Sequence, residues 1–433
     1  MSLAQGDTFA EMWTTLEPLG RASDGSYHRL AWSEADLACR DWFRSQARQR
    51  NMALDEDRNG NLWAWWGEPG PGAVVTGSHL DSVPGGGAFD GPLGVVSGFA
   101  AVDRLSRHWT VPPKPLAVVD FADEEGGRFG VACAGSRLMT GQVDPDALLA
   151  RTDRSGVTLA EAMRAAGFDP TGCGEDPERI SKISAFVELH IEQGRALDGL
   201  GAPVGVAAAV WPHGRWRFDF AGQGDHAGTT RLADRRDPLI PVAHLILDAR
   251  AQAGAAEALA TVGRVEVNPG ATNAVASRAS AWLDARAPSR NAVRDLVESI
   301  QAASLEHCKH HDVALATKEE SWSDGADFPG ALQEHLIASV AAALGSVPKL
   351  TTGAGHDAAI LAARVPTAML FVRNPTGISH DPAEAASMQD CLSGVDALTA
   401  ALSALLDDPR RPSEDPSGLQ ADESRSMTKV TPR

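Results

Sequence analysis

The stretch Gly77-Ser78-His79-Leu80-Asp81, followed by Gly85-Gly86-Gly87-Ala88-Phe89-Asp90-Gly91, closes an apolar run, Ala73-Val74-Val75-Thr76. Such a run reads as a buried strand, and ligands of open α/β sheets gather outside the carboxyl ends of strands. His79 offers an imidazole nitrogen to a metal. Asp81 lies near enough to hold the other ring nitrogen. Asp90, after a glycine-rich bend, brings another carboxylate back over the same place. Three more apolar runs end in the same way. Leu116–Phe121 runs into Asp123-Glu124-Glu125-Gly126, where adjacent carboxylates repel each other. A metal resolves that conflict, with one carboxylate ligating and its neighbour handling protons. Ser184–Leu189 leads into His190-Ile191-Glu192-Gln193-Gly194, with His190 and Glu192 on one strand face by alternation. Pro366–Val372 runs into Gly377-Ile378-Ser379-His380-Asp381-Pro382. Three histidines and several carboxylates at strand ends suit two hard-to-borderline divalent ions sharing a bridging carboxylate. Taken singly, each piece has a plainer reading: a structural histidine, a solvated Glu124-Glu125 turn, Asp81 and Asp90 as turn residues. Their joint order and spacing carry the argument.

These motifs, with Asp225-His226-Ala227-Gly228-Thr229-Thr230 and Gly353-Ala354-Gly355-His356-Asp357-Ala358, resemble those of the metal-dependent amidohydrolases related to aminoacylases and co-catalytic carboxypeptidases. Within that superfamily the chain resembles the N-carbamoyl-L-amino-acid hydrolase and allantoate amidohydrolase branch, from about Gly77 to Glu384. The resemblance implies that His79 and His190 each complete one half of a metal pair bridged by Asp90. It implies that Glu125 and His380 hold the second metal and that Glu124 is the general base. Asp81 supports the catalytic set, and Gln193, His226, Asn273 and Arg286 match substrate-contacting positions. The implied cofactors are two divalent ions per subunit, Zn²⁺ or Mn²⁺, with Co²⁺ or Ni²⁺ as further options. The implied substrate joins a ureido group to a carboxylate: an N-carbamoyl-L-amino acid first, allantoate next, then N-formyl or N-acyl amino acids and dipeptides. A non-catalytic binding protein is disfavoured, because every ligand and Glu124 are present. One departure concerns Asn268–Ser277, which lacks the proline-glycine that many relatives carry shortly after the asparagine, so the setting of Asn273 stays open. Whether His356 and Asp357 line the pocket also stays open.

Length, at 433 residues, calls for at least two domains. The net charge of −18 argues against nucleic acid or an anionic membrane as partner. Cys39, Cys133, Cys173, Cys308 and Cys391 are dispersed without paired spacing, as in a reducing cytosol. The start shows no basic region followed by an apolar core, so a cytoplasmic location is expected.

The expected fold is α/β: a mixed-sheet catalytic domain from residues 1–204 and 326–407, interrupted by an insertion at 205–325. An amphipathic helix around Phe9, Met12, Trp13 and Leu16 and another from about Ser33 to Arg50 open the chain. In the insertion, Trp216, Phe218 and Phe220 alternate with polar residues as in a half-exposed strand. Leu239, Val242, Ile246 and Ala249 fit a helix. Strands at Val262–Val267 and Val275–Ala285, a helix around Val293–Ile300 and a strand at Val313–Ala316 complete the β-α-β-β-α-β order of a ferredoxin-like α+β sandwich. This insertion is expected to act as a dimerisation and lid domain, giving a homodimer whose sites are shared between subunits. Trp282, Asp284 and Arg286 share a strand face, where a guanidinium could grip a substrate carboxylate with two parallel bonds. His307, Cys308, His310 and His311 fall at a helix end and read as structural. Residues 408–433, rich in proline, serine and charge, read as a disordered tail.

Overall fold

The computed structural model describes residues 6–328 and 330–408, so the tail expected to be disordered lies outside the described residues, Asp408 excepted. The four apolar runs are strands, and they lie side by side. Leu116–Phe121, Ala73–His79, Ile183–Ile191 and Thr367–Val372 are neighbours in that order, every pair parallel. Parallel neighbours present their carboxyl ends along one edge, so four segments distant in sequence open onto one place. Leu62–Trp66 and Ala53–Glu56 extend the sheet antiparallel on one side. Val204–Val210 extends it on the other, flanked by Ala326–Asp327 and Lys349–Thr352, for nine strands among the described residues. The strand Thr367–Val372 comes last in the chain yet sits between Ile183–Ile191 and Val204–Val210.

Period-two alternation gives each strand two apolar faces. Val74, Val118, Val187 and Leu370 pack with Val96, Phe99, Leu336 and Leu398 of the helices Pro92–Leu105, Gly330–Leu344 and Met388–Asp407. Val75, Val119, Phe186 and Met369 pack on the opposite side with Met139 and Leu361 of Ala134–Thr140 and Asp357–Leu361. Cover on both faces explains why these strands read as continuous apolar runs rather than alternating ones. The helix Pro92–Leu105 lies unusually close to the sheet at Gly94, where an added Cβ would stand 2.3 Å from the Leu189 carbonyl oxygen.

A second sheet orders Ala314–Ser323, His213–Ala221, Arg278–Arg286 and Leu259–Asn268, all antiparallel. The helices Leu239–Ala255 and Arg290–His310 cover one face, and Phe218, Phe220, Leu245, Leu283, Val297 and Ile300 form a separate core. This is the ferredoxin-like arrangement. Three local expectations need correction. The change of sheet comes after Val210 rather than at Gly205, because Val204–Val210 hydrogen-bonds to Thr367–Val372 in the large sheet. The strand expected at Val275–Ala285 is divided: Ala274–Val275 pairs with Asp225–His226, and Arg278–Arg286 enters the sheet. In Leu239–Ala255 the buried stripe is Val242, Leu245, Ala249 and Ala253, with Ile246 exposed. An apolar residue beside a true core stripe carries the same periodic signal. His307 pairs with Asp248 at 3.0 Å and stacks on His244. Among the described residues no helix is long and apolar enough to cross a membrane.

The close helix approach yields a test. Gly94→Ala is expected to destabilise by about 1–3 kcal/mol or more, because the new methyl meets backbone that cannot rotate away. Gly254→Ala, on an exposed helical position with open space around it, should not lower the urea midpoint. Equal midpoints for the two variants would show that the approach at Gly94 is not a packing constraint.

Candidate metal centre and substrate cleft

His79 is the last residue of its strand, and the chain then loops through three glycines to Asp90. Gly91 follows with φ 85°, and an added Cβ there would lie 2.5 Å from the His79 ring. Only glycine brings Asp90 back this tightly. His190 Nε2 lies 3.1 Å and His79 Nε2 3.6 Å from the same oxygen, Asp90 Oδ1. The other oxygen, Oδ2, is 3.3 Å from His380 Nε2, which is itself 3.5 Å from Glu125 Oε2. His79 and His190 therefore stand on the same side of Asp90, not on one half each, with Glu125 and His380 on the other side.

Glu124 Oε2 lies 3.7 Å from His79 Nε2, and the Cys133 thiol donates to its Oε1 at 3.2 Å. Asp81 accepts the backbone N–H groups of both Glu124 and Glu125 at 3.1 Å. Its carboxylate also lies 3.4 Å from His79 Nδ1, whose nearer partner is the Asp81 carbonyl at 3.1 Å. One residue thus orients the first histidine and the turn carrying both glutamates. Gln193 donates to Asp90 Oδ2 at 2.6 Å. Glu192, expected beside His190, instead accepts from Ala196 and Leu197 N–H at the start of the next helix.

The electrostatics follow from burial. Burial opposes the charge on Asp90, yet the His190, His380 and His79 imidazoles hold its carboxyl well below the usual carboxylate range. Burial pushes Glu124 well above that range, with Asp357, Glu125 and Asp81 adding to it against the pull of His79. Burial and then Asp90 raise Glu125 to about 7. The hydrogen bond to Asp90 is the main reason His380 rises to about 9. Burial depresses His79, but Glu124, Asp81 and Asp90 outweigh it and lift the ring well above its ordinary value.

Whether the group fits a metal can be judged from its orphaned atoms. His79 Nε2 and His190 Nε2 are buried and have no hydrogen-bond partner. The Nδ1 of each ring faces a carbonyl oxygen, of Asp81 and Ile191 respectively. A carbonyl only accepts, so Nδ1 carries a proton in either form of the ring, and when the second proton leaves, as a cation would require, Nε2 points its lone pair into the cluster. Ligand atoms of His79, Asp90 and His190 lie within 4.8 Å of one another, as do those of Asp90, Glu125 and His380. Imidazole nitrogens and carboxylate oxygens, with no thiolate, match a hard-to-borderline divalent cation. The residues fit.

Glu188 and Glu384 escaped the sequence reading, and His356 and Asp357, whose place it left open, stand beside the cluster. Glu188, in the strand, accepts from Ser78 Oγ at 2.7 Å and Ala358 N at 2.9 Å. A carboxylate inside an apolar strand was the available signal. His356 packs edge-on to His190, its ring centroid 4.4 Å away, and is buried, with its pKa held well below the ordinary value by burial and by His190. Asp357 accepts from Ser136 Oγ and is fully buried. Glu384 accepts from the N–H groups of Phe89 and Asp90. It follows a turn without periodicity, and nothing in its spacing announces it.

Arg286 stands across a cleft of about 590 Å³ that Gln193, Ser379, His380, Leu259 and Phe371 also line. Asp284 accepts from its Nε and Nη2, and the Gly353 carbonyl accepts from Nη1. His226 and Asn273 are not brought to the cluster. Both are exposed on the short ladder Asp225–His226 with Ala274–Val275, where Ala227 N donates to the Asn273 carbonyl and Gly228 N to His226 Nδ1. Among the described residues no hydrogen bond or ion pair joins either to the ligand set.

The model of peptidase family M20/M25/M40 matches residues 75–404. The chain is 36% identical over 409 residues to an N-carbamoyl-L-amino acid amidohydrolase of Geobacillus stearothermophilus, covering 92% of this chain and 97% of that protein. It is 32% identical over 397 residues to an allantoate amidohydrolase of Escherichia coli (strain K12), covering 89% and 95%. An amidase of the hydantoinase/carbamoylase family from Burkholderia vietnamiensis has the same fold, with a TM-score of 0.85 at 28% identity over 94% of this chain and 99% of that one. The four strand-end motifs and these similarities agree: the chain belongs to peptidase family M20/M25/M40, in the branch of the N-carbamoyl-L-amino-acid and allantoate amidohydrolases, and is a hydrolase of carbon–nitrogen bonds other than peptide bonds.

Proposed function

We propose that the protein hydrolyses the carbamoyl group of an N-carbamoyl-L-amino acid, as a homodimer holding two divalent ions per subunit, Zn²⁺ or Mn²⁺. The observation that supports this best is Arg286 sharing one cleft with Gln193 and His380. A ureido acid is a short molecule with a carboxylate at one end and an amide-like carbon at the other. Counting donors, the bonds to Asp284 and Gly353 leave one N–H on each terminal nitrogen of Arg286, enough for a carboxylate. Asp284 keeps the guanidinium plane fixed. Leu259, Leu350 and Phe371 give the cleft an apolar wall. That wall favours an apolar amino-acid side chain over the second ureido group of allantoate, which stands as the alternative.

His79, Asp90 and His190 would hold one ion, and Asp90, Glu125 and His380 the other. Bound there, divalent cations supply a water of lowered pKa and a Lewis acid for the developing oxyanion. Glu124 takes the proton from the attacking water and delivers it to the nitrogen that leaves. The water oxygen bonds to the carbamoyl carbon and one C–N bond breaks, releasing one nitrogen as amine and leaving the other in a carbamate. The carbamate then breaks its own C–N bond, so the final products are the amino acid, ammonia and carbon dioxide. Gln193 orients the ureido group and Asp81 keeps the Glu124-Glu125 turn in place. His226 and Asn273, remote from their own cluster, are assigned to the cluster of the second subunit, His226 as an oxyanion donor. The exposed edge strand Leu259–Asn268, with Val265 and Val267 open, offers a surface for twofold pairing.

Removal of metal tests the first part of this reading. Prolonged chelation should abolish hydrolysis of N-carbamoyl-L-amino acids, and added Zn²⁺ or Mn²⁺ should restore it; full activity in protein shown by elemental analysis to be metal-free would refute it. The base is tested separately. Glu124→Gln should lower kcat by about 10²–10⁴-fold while metal content stays unchanged, whereas Glu125→Gln should lose metal. Near-normal turnover in Glu124→Gln would remove Glu124 from the mechanism. For the shared site, inactive His226→Ala mixed with inactive Glu124→Gln should recover roughly a quarter of wild-type activity after random subunit exchange, since half the dimers then hold one intact site. No recovery despite demonstrated exchange would place His226 outside the partner's chemistry.

A further inference from the structure

We infer that Glu384 is a positioning residue whose carboxylate clamps the loop carrying Asp90 to the loop carrying His380, and so sets the geometry on both sides of the metal pair. This rests on the reading of Asp90 as the shared ligand. The need for a clamp comes from sequence. Asp90 ends a loop containing Gly85, Gly86 and Gly87, which has little conformational preference of its own. Its last two N–H groups, on Phe89 and Asp90, have no partner in a strand or helix. Glu384 Oε2 accepts both, at 2.7 and 3.1 Å, across 295 and 294 residues of sequence. Its other oxygen, Oε1, accepts from Ser379 Oγ at 3.3 Å, and that hydroxyl also reaches Asp90 Oδ2 at 3.1 Å. Glu384 as a whole is 5% exposed.

The loop is shaped around it. A Cβ on Gly87 would stand 2.4 Å from Glu384 Oε2, so the glycine leaves the space the carboxylate occupies. Glu384 reaches this position through a turn in which its own N–H donates to the Asp381 carbonyl, one residue beyond His380. Both oxygens of Asp90 must face different groups at once: His79 and His190 on one side, His380 on the other. With the Asp90 backbone fixed, and Ser379 and Gln193 holding its Oδ2, the carboxylate is restrained from turning to serve only one side.

Co²⁺ alone is a suitable probe, with dissociation constants from chelator competition and the visible d–d spectrum as a report on ligand geometry. Glu384→Ala should bind Co²⁺ about 10–100-fold more weakly, the usual effect of losing a partner that orients a ligand, with an altered spectrum. Glu384→Gln should stay close to wild type, because one amide oxygen can accept both N–H groups. Wild-type affinity and spectrum in Glu384→Ala would overturn the inference. So would equal weakening in Glu384→Gln, since the charge rather than the clamp would then matter. Thermal unfolding of the metal-free proteins checks folding. Should Glu384→Ala not fold, Gly87→Ala pushes the carboxylate aside without removing it, and unchanged Co²⁺ binding there overturns the proposal equally. Asp90→Asn separates this inference from the reading beneath it. If that variant binds Co²⁺ normally, the metal site itself is misassigned and the clamp falls with it; if it loses binding while Glu384→Ala keeps it, the clamp alone falls.

Discussion

Asp81, Asp90, Glu124, Glu188, Asp357 and Glu384 are buried around one spot, with Glu125 at its edge. Among the described residues none of them is hydrogen-bonded or ion-paired to a lysine or arginine; their partners are imidazoles, hydroxyls, a thiol and amide N–H groups. Ionised carboxylates cannot share a low-dielectric site without compensation. Protons supply it in part, which is why Glu124 and Glu125 are pushed upward and His79 and His380 with them. Divalent cations, on the proposed reading, would supply it more fully. The rest of the architecture reads as a means of holding this charge against its own repulsion. Parallel strands bring the segments to one edge, Asp81 fixes the glutamate turn, and Gly91 admits the return of Asp90.

Much of this centre is legible in sequence because chemistry at a strand end leaves a local trace. An apolar run followed at once by His79, or closely by Glu124-Glu125, marks both the strand and the polar group at its end. The ferredoxin-like order was legible for the same reason, since alternation in Trp216–Phe220 and helical spacing around Val293–Ile300 are local patterns. What failed to show were relations set by tertiary contact. Glu384 is informative only once the Asp90 loop lies over it. Glu192 and Glu188 are equivalent by alternation, yet the strand ends between them, so Glu192 turns to a helix start and Glu188 stays beside His190. That Val204–Val210 belongs to the large sheet could not be told from the start of the next unit, because its partner strands lie far downstream.

On the proposed reading, chemistry and selection occupy different parts of the molecule. The ligand set hangs from the ends of rigid, doubly covered strands, where a small displacement would disturb several contacts together. The opposite wall of the cleft, with Arg286 and Leu259, comes from the second sheet and its separate core. On the same reading, substitutions on that wall alter which side chain is accepted without touching the cluster assigned to hydrolysis.

The place of Thr367–Val372 in the large sheet has a consequence for biogenesis. A ribosome delivers Ile183–Ile191 and Val204–Val210 early, but the strand that joins them emerges about 160 residues later, and His380 and Glu384 later still. Until then each of the two flanking strands has an open edge, and the nascent chain lacks one side of its ligand set. Sheet closure is therefore a late, long-range event, which slows folding and extends the time that strand edges are exposed. The cluster is complete only once His380 and Glu384 have emerged, so a chain halted before them lacks one side of the proposed metal site.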